Sequence, residues 1–416
     1  MKGLSEPSAF PYGFPRIIWV AARPPAPPFS GITSKTLCGL QALSTQTEID
    51  LVTFVNPPSV EEYKAKLQQY WGKEPVSIHI LPLQPRARWY QGLVRCRFQS
   101  SLLFDGKLLD VKLSELSWSS LDRLVIFDDI ILAHLGVRYS ANAIISPHDC
   151  MSDMFFSHHK IQKPSLAKIK KYVQYLLALH YEKKFYHWFL LVHVITHRDR
   201  VLLERINPLA RYHVVPNADL LNPGLIRDFN SRWDVLIWGD LTIPSCARGA
   251  QEFLMYAQRN GLLASASKML IGKVSRKEAE AIIGKNMMMQ IEYSPRLEDE
   301  FGRMRSAKIV VIPDIGGAGI KNRVVNVLSS GLCLACLLSQ MEGVEAVADR
   351  GAINAVTMKE LVERIAWALQ TGEYKQIAEA GQHIYYSHYN LDLNYRLWRE
   401  MIERALAIRE RVLRSK

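Results

Sequence analysis

Two stretches of the chain carry residue types whose spacing could do chemistry. The first is Ile312-Pro313-Asp314-Ile315-Gly316-Gly317-Ala318-Gly319-Ile320-Lys321-Asn322-Arg323, in which three glycines join an apolar run to an amphipathic one. Glycines there let the backbone turn tightly and approach a ligand closely. The spacing then predicts a helix from about Ile320, with Val324, Val325 and Leu328 on its buried face and Gly331 at its C′ position. The first amide groups of a helix lack intrahelical partners and carry the positive end of its dipole, so such a junction binds phosphate. Lys321 and Arg323 place full charges beside it. The chain has no GxxxxGK[ST] loop and no GxGxxG fingerprint, which separates this junction from both of the common nucleotide loops.

The second stretch is Ser146-Pro147-His148-Asp149-Cys150, which follows the apolar run Asn142 to Ser146. An imidazole at His148 that titrates near neutrality can orient or deprotonate a hydroxyl group, with Asp149 beside it. A plain polar loop capping the next helix is the other reading. His158 and His159 read as solvated side chains. Cys333 and Cys336 form a CxxC, but on a strand residues three apart point to opposite faces, so the two thiols should not converge.

Elements must position these groups. Short apolar runs read as strands at Arg16 to Ala22, Ile49 to Val55, Ser77 to Leu83, Arg123 to Asp128, Asn142 to Ser146 and Trp188 to Thr196, with His213 to Asp219 closing the series. A helix is expected over Thr33 to Ser44, and one long basic helix over Lys160 to Lys184. A second series of strands follows at Trp233 to Trp238, Lys268 to Ile271, Gln290 to Tyr293, Lys308 to Ile312 and Leu332 to Leu338. Helices fit between them at Ala247 to Arg259 and Ser275 to Ile283, the latter opening on a Ser275/Glu278 capping box, and a largely helical tail runs from Met358 to Arg414. Strands alternating with helices imply parallel βαβ units, whose ligands sit at the carboxyl ends of the strands.

The chain has 416 residues, more than one ordinary core absorbs, and its apolar fraction of 48% is that of a folded protein. Fifty-two Lys and Arg against 40 Asp and Glu leave a net charge of +12, which favours an anionic partner without choosing among nucleotide, membrane and nucleic acid. Six scattered cysteines do not make a disulfide scaffold. No apolar signal-like core opens the sequence and no apolar run nears the roughly 20 residues of a spanning helix. The expected location is therefore cytoplasmic, with peripheral contact to the inner face of an anionic membrane kept open.

The segment Pro313…Gly317-Ala318-Gly319-Ile320-Lys321-Asn322-Arg323-Val324…Gly331, then a strand and Glu342-Gly343-Val344-Glu345, resembles the donor-binding half of retaining GT-B glycosyltransferases of the family-four type (glycosyl transferases group 1). The likeness extends to Asp234 to Asp240, to Arg296 to Phe301 with Ser306 to Lys308, and more loosely to three stretches of the first half. Those are Pro24-Pro25…Ser30-Gly31, His193 to Asp199 and Val215 to Asp219. The resemblance implies an α/β GT-B fold: two Rossmann-like domains with parallel sheets facing a central cleft and a C-terminal helix crossing back. The expected bounds are 1–222 for acceptor binding, 223–384 for the nucleotide sugar and 385–416 for the returning helix.

The implied function is metal-independent and retaining transfer of a sugar from a nucleotide diphosphate to a glycan, lipid-linked or small-molecule (secondary-metabolite) acceptor. The donor would be held by Gly316, Gly317, Ala318, Gly319, Ile320, Lys321, Asn322, Arg323, Asn326, Glu345 and Gly239, with Ser30 and Gly31 as the N-terminal loop. No DxD triplet occurs in the chain, so leaving-group charge would fall to the glycine loop and Lys321, with no cofactor or metal. Asn326 stands where the family usually carries a ribose-binding Glu, and Ala318 where many members carry another. Those departures keep a non-catalytic nucleotide-sugar binder in play. The charge of +12 keeps a transferase acting on nucleic acid in play, and an epimerase would need an acid/base set without an acceptor groove.

Overall fold

The computed structural model describes residues 14–26, 31–56, 59–71, 76–84, 96–161, 164–218, 231–295, 300–316, 322–341, 343–348 and 350–415. The first sheet comprises β1 (Arg16–Ala21), β2 (Ile49–Val55), β3 (Val76–Pro82), β4 (Arg123–Asp128), β5 (Ala143–Ser146), β6 (Leu191–Val194) and β7 (Tyr212–Val214). The second comprises β8 (Trp233–Trp238), β9 (Lys268–Gly272), β10 (Glu292–Pro295), β11 (Ala307–Ile312), β12 (Cys333–Leu337) and β13 (Ala352–Ala355). Their orders are β3-β2-β1-β4-β5-β6-β7 and β10-β9-β8-β11-β12-β13. Every ladder is parallel. Each order reverses direction at one place, between β1 and β4 and between β8 and β11. Ligand crevices of open parallel sheets form at such switch points. The reversals thus mark where to look before any side chain is considered.

The strands read as continuous apolar runs because both faces of each sheet are covered. Ile17, Ile18, Trp19 and Val20 are all fully buried, yet alternate between two cores: Ile18 and Val20 pack on one side, Ile17 and Trp19 on the other. The helices that bear on the site are α1 (Gly31–Ser44), α2 (Met151–Ile161), α3 (Leu166–Phe185), α4 (His197–Ile206), α5 (Pro244–Arg259), α6 (Asn322–Ser329), α7 (Met358–Thr371), α8 (Tyr374–His388) and α9 (Leu391–Arg414).

The last of these crosses back. Tyr385 and Tyr389 stay in the second domain, whereas Trp398, Met401, Ile402 and Ala405 enter the core under β1. Trp398 lies 5.3 Å from Trp19 and 4.6 Å from His193, ring centre to ring centre. Gly39 on α1 makes room for this contact, since a Cβ there would collide with both tryptophans.

Several sequence expectations need correction. The single helix expected over Lys160 to Lys184 is two, α2 and α3, because Pro164 cannot continue a helix and Ser165 caps a new one, accepting from the Lys168 amide. The strand expected over Trp188 to Thr196 is only β6, preceded by a 3-10 turn at Tyr186–Trp188. Strand β13, four residues long and without a run of branched residues, gave no usable signal. The Ser275/Glu278 capping box is present. Cys333 and Cys336 belong to the cores on opposite faces of the second sheet, as strand geometry requires.

Candidate functional site

At the first switch point, β4 ends in Asp128, followed directly by Asp129, and the neighbouring end of β5 is Ser146. Lys35 of α1 reaches this point and is 1% exposed. Its Nζ sits 2.7 Å from Asp128 Oδ1 and donates to Ser146 Oγ at 2.7 Å and to the Ser146 carbonyl at 2.8 Å. The Trp19 indole N–H and the Thr36 hydroxyl also donate to Asp128. His193 Nε2 meets the Val215 carbonyl at 3.0 Å, so that nitrogen carries the hydrogen and Nδ1 accepts from Ser146 Oγ at 2.8 Å. A buried lysine is thus the hub joining α1, β4, β5 and β6.

Beside this hub lies His148. It is 7% exposed, and neither ring nitrogen has a hydrogen-bond partner among the described residues. The nearest carboxylate oxygen, Asp129 Oδ2, stands 3.9 Å from Nε2, beyond hydrogen-bonding range. An unpartnered buried polar group costs about 1–3 kcal/mol, so an imidazole left this way at the carboxyl edge calls for a functional explanation. Asp129 also has φ of +122°, a conformation non-glycine residues avoid, and its side chain accepts from the Ile131 amide at 3.1 Å.

The loop carrying His148 is tied down from two sides. Asp199, at the start of α4, accepts from the Cys150 amide at 2.9 Å and from the Thr196 hydroxyl at 2.6 Å. Glu182 of α3 accepts from the Ser152 amide at 3.1 Å, and burial pushes its carboxyl up to about 7.

Burial also acts on the His148–Asp129 pair. It pushes His148 well below 6.5, helped by the positive charges of Lys35 and Arg23, and raises Asp129 to about 6. This corrects the expectation that His148 titrates near neutrality: the imidazole is neutral in the folded protein because its surroundings are dry and cationic. Asp149 is half-buried in the adjoining loop.

The two shifts have opposite linkage signs. Between 3.8 and about 6 the native protein keeps a proton on Asp129 that the unfolded chain has released, so stability falls as pH rises through that window. Below 6.5 the unfolded chain takes up a proton that native His148 refuses, so stability falls as pH drops. His148→Gln should therefore flatten the acid-side loss by one proton's worth, about 1.4 kcal/mol per pH unit, and Asp129→Asn should steepen it. Urea unfolding of both variants at a series of pH values from 7 down to 5 checks this, and unchanged slopes in both would contradict it.

At the second switch point, β11 runs into Pro313, Asp314, Ile315 and Gly316. Gly317, Ala318, Gly319, Ile320 and Lys321 lie outside the described residues, as does Ser30. Gly31 opens α1 and Glu345 opens a short helix, Glu345–Ala348. Asn322 begins α6, and Val324, Val325 and Leu328 are buried on it, as their spacing predicts. Gly331 has φ of +66°, its amide bonds back to Leu328 and that of Leu332 to Val327, which is the Schellman ending expected of a C′ glycine.

Arg323 turns inward. It donates to Asp314 and to the Trp238 carbonyl, each at 2.8 Å. Its guanidinium thus braces the strand ends of β8 and β11 under the glycine junction. Gly239 packs beside it, where a Cβ would strike Cys246. Asn326 is half-buried on the same helix.

The two edges meet. Asn217, three residues beyond β7, donates through Nδ2 to Asn322 Oδ1 at 2.9 Å. A cavity of about 490 Å3 lies between the domains, lined by Lys160 of α2 from the first and by Arg248, Glu252, Ile315, Thr357 and Lys359 among others from the second. Lys35, Asp128 and Asp129 were missed by sequence reasoning. The adjacent pair Asp128-Asp129 at the end of an apolar run was the available signal; Lys35, within a helix that reads as plain, left none. Among the described residues no three His, Cys, Asp or Glu side chains gather as a metal site. No helix among them is long and apolar enough to cross a membrane.

No protein-family model matches the chain, and no curated protein matches it. Solved structures do. HepE of Anabaena, crystallised with UDP, is similar with a TM-score of 0.65 at 12% identity, over 94% of this chain and 99% of that one. Sucrose-phosphate synthase of Thermosynechococcus elongatus gives 0.68 at 11%, over 94% and 99%. TarM of S. aureus gives 0.69 at 10%, again over 94% and 99%. The chain therefore has the GT-B fold: two domains with parallel sheets facing a cleft, closed by a returning C-terminal helix.

Proposed function

We propose that the protein is a glycosyltransferase that binds a nucleotide-diphosphate sugar on the second domain and transfers the sugar, with retention, to an acceptor seated on the first. The observation that carries this reading is the Asn217–Asn322 hydrogen bond, which holds the first residue of the glycine-junction helix against the carboxyl edge of the opposite sheet. A diphosphate held at that helix start would sit between two switch points, where donor and acceptor must meet. Two fold relatives support the same reading, HepE with UDP-glucose and TarM with UDP. The family-four assignment rests on the resemblance of residues 313–345 and is part of the proposal.

In this reading the amides around Gly316 to Asn322 and the Lys321 ammonium take up charge as the sugar–phosphate bond breaks. His148, neutral and without a hydrogen-bond partner among the described residues, is placed to accept a hydrogen bond from a sugar or acceptor hydroxyl, with Asp129 and Asp149 nearby. Glu345, Asn326 and Gly239 complete the donor side, and Ser30 with Gly31 the facing loop. Arg323 acts by positioning. A glycan, a lipid-linked sugar and a small hydroxylated molecule all remain acceptor classes.

A thermal-shift panel of UDP, GDP, TDP and CMP, with their sugars, tests the reading. One nucleotide at a hundredfold over its Kd should add about 2.7 kcal/mol of apparent stability. Lys321→Ala should remove that response, and EDTA should leave it intact. No response to any nucleotide would overturn the proposal. A second reading, a nucleotide-sugar binder without turnover, is favoured by Asn326 standing where the family places Glu. His148→Ala separates the two: in an enzyme it should cut kcat by about 10²–10⁴-fold while the nucleotide response persists.

A further inference from the structure

The hairpin of α2 and α3 leaves the site and presents a face that the sugar-transfer reading does not use. On α3, Leu166 is 85% exposed, Ile169 61%, Tyr172 43% and Leu176 46%. Their spacing of three, three and four residues sets them on one side of the helix. The opposite side is anchored by buried Ala178, Tyr181 and Glu182. Single exposed apolar residues need no explanation, but a stripe of four with an 85% exposed leucine does.

Charge surrounds the stripe. From Met154 to Tyr181 the sequence contains Lys160, Lys163, Lys168, Lys170 and Lys171 and no Asp or Glu. Lys160 lies over the Phe156 ring at 4.4 Å and Lys171 over Phe155 at 5.3 Å, so aromatic rings underlie part of this basic surface. The two carboxylates bordering the segment are already engaged, Asp153 with Arg198 at 3.0 Å and Glu182 with the Ser152 amide.

We infer that this face of α3 is a docking surface for an anionic lipid bilayer, with Leu166, Ile169, Tyr172 and Leu176 entering the headgroup region and the lysines meeting lipid phosphates. An interfacial helix combines these features: apolar residues along one face, flanking cations and no acidic group. The alternatives fit less well. A nucleic-acid backbone would use the lysines but not Leu166 and Ile169, and a second copy of the chain would bring like charges together.

The placement has a consequence for access. Helix α2 starts three residues after His148, and Lys160 near its other end lines the cleft cavity. A bilayer touching α3 would therefore lie beside the mouth of the cleft. The docking surface stands on its own residues, independent of sugar transfer.

Vesicle co-sedimentation tests it, using phosphatidylcholine alone and phosphatidylcholine mixed with phosphatidylglycerol, at low and physiological salt. The full chain should bind the mixed vesicles and not the neutral ones. Leu166→Ser/Ile169→Ser/Leu176→Ser and, separately, Lys168→Glu/Lys170→Glu should each weaken binding by about tenfold or more. Because these side chains project into solvent, both variants should keep the parent's thermal midpoint and nucleotide response, which separates lost docking from misfolding and from failure of the transferase reading. Equal binding to both vesicle types, no binding to either, variants that bind like the parent, or retention on RNA with none on lipid would each overturn the inference.

Discussion

Replacing Lys35 by methionine is expected to lower the unfolding free energy by about 3–5 kcal/mol, among the largest losses a single side chain can cause. Methionine fills nearly the same space, so packing is not the source. The loss comes from Asp128, 2% exposed, whose carboxylate would be left in a dry site without its ion-pair partner, with the Trp19 and Thr36 donors remaining among the described residues. Ser146 would lose the Lys35 donor to its hydroxyl and to its carbonyl, the latter keeping the Asp129 amide, and the hydroxyl orients His193.

The pair need not be stabilising in itself, because removing two charges from water costs several kcal/mol per ion. The double variant Lys35→Met/Asp128→Leu should therefore recover much of the loss. Urea denaturation of the parent, both singles and the double closes the cycle. A loss below about 1 kcal/mol in Lys35→Met would mean the pair is solvated, contrary to its burial.

Gly249→Ala is the second large effect, and its sign needs argument. Alanine in a helix interior is favoured over glycine by about 1 kcal/mol, so α5 alone would gain. The Cβ, however, would stand inside the carbonyl group of Pro313 and close to Ile315. Both obstacles belong to the segment entering the glycine junction, and a backbone carbonyl at a strand end cannot swing aside as a flexible side chain can. Either α5 moves off the second sheet or residues 313–316 are pushed into the cleft. Overpacking of this kind costs about 1–3 kcal/mol, which outweighs the helical gain.

The functional loss should exceed the loss of stability, since the displaced segment positions the proposed diphosphate site. Nucleotide-induced thermal shift should vanish in Gly249→Ala while the fold persists by circular dichroism. Retention of the full nucleotide response would show that the junction tolerates the displacement. Gly261, whose Cβ would meet nothing, is the matched control, and Gly261→Ala should leave both readouts unchanged.

The elements that frame the second half of the candidate site were legible because their signals are local. A strand, a glycine-rich stretch, an amphipathic helix and a C′ glycine follow one another between Ala307 and Gly331, and each has its own backbone rule. The first half was legible only in outline. His148 could be placed after a strand, but its dry surroundings come from α1, β4 and β6, which lie far apart in the chain. Lys35 illustrates the limit: nothing within Thr33 to Ser44 distinguishes a lysine that will be 1% exposed from one on a solvated face.

Arg323 shows the converse. Its position beside the junction suited a ligand, yet Asp314 nine residues earlier and the Trp238 carbonyl claim it, and that competition is visible only once β8 and β11 are side by side. The break between α2 and α3 was readable from Pro164 and Ser165 and was overridden by the uniform run of lysines.

The returning helix has a consequence for how the chain matures. The face of the first domain around Trp19 and Gly39 is covered by Trp398, and Arg409 donates to the carbonyls of Leu121 and Arg123 and to Asn142 at 2.6–2.7 Å. The Arg409 contacts join groups 267 to 288 residues apart in sequence, with the whole second sheet between them. During synthesis this face of the first lobe is therefore made before the second lobe, and it stays uncovered until α9 has followed. The first domain is in this sense completed only after the second, and the two lobes mature as one unit although each has its own sheet.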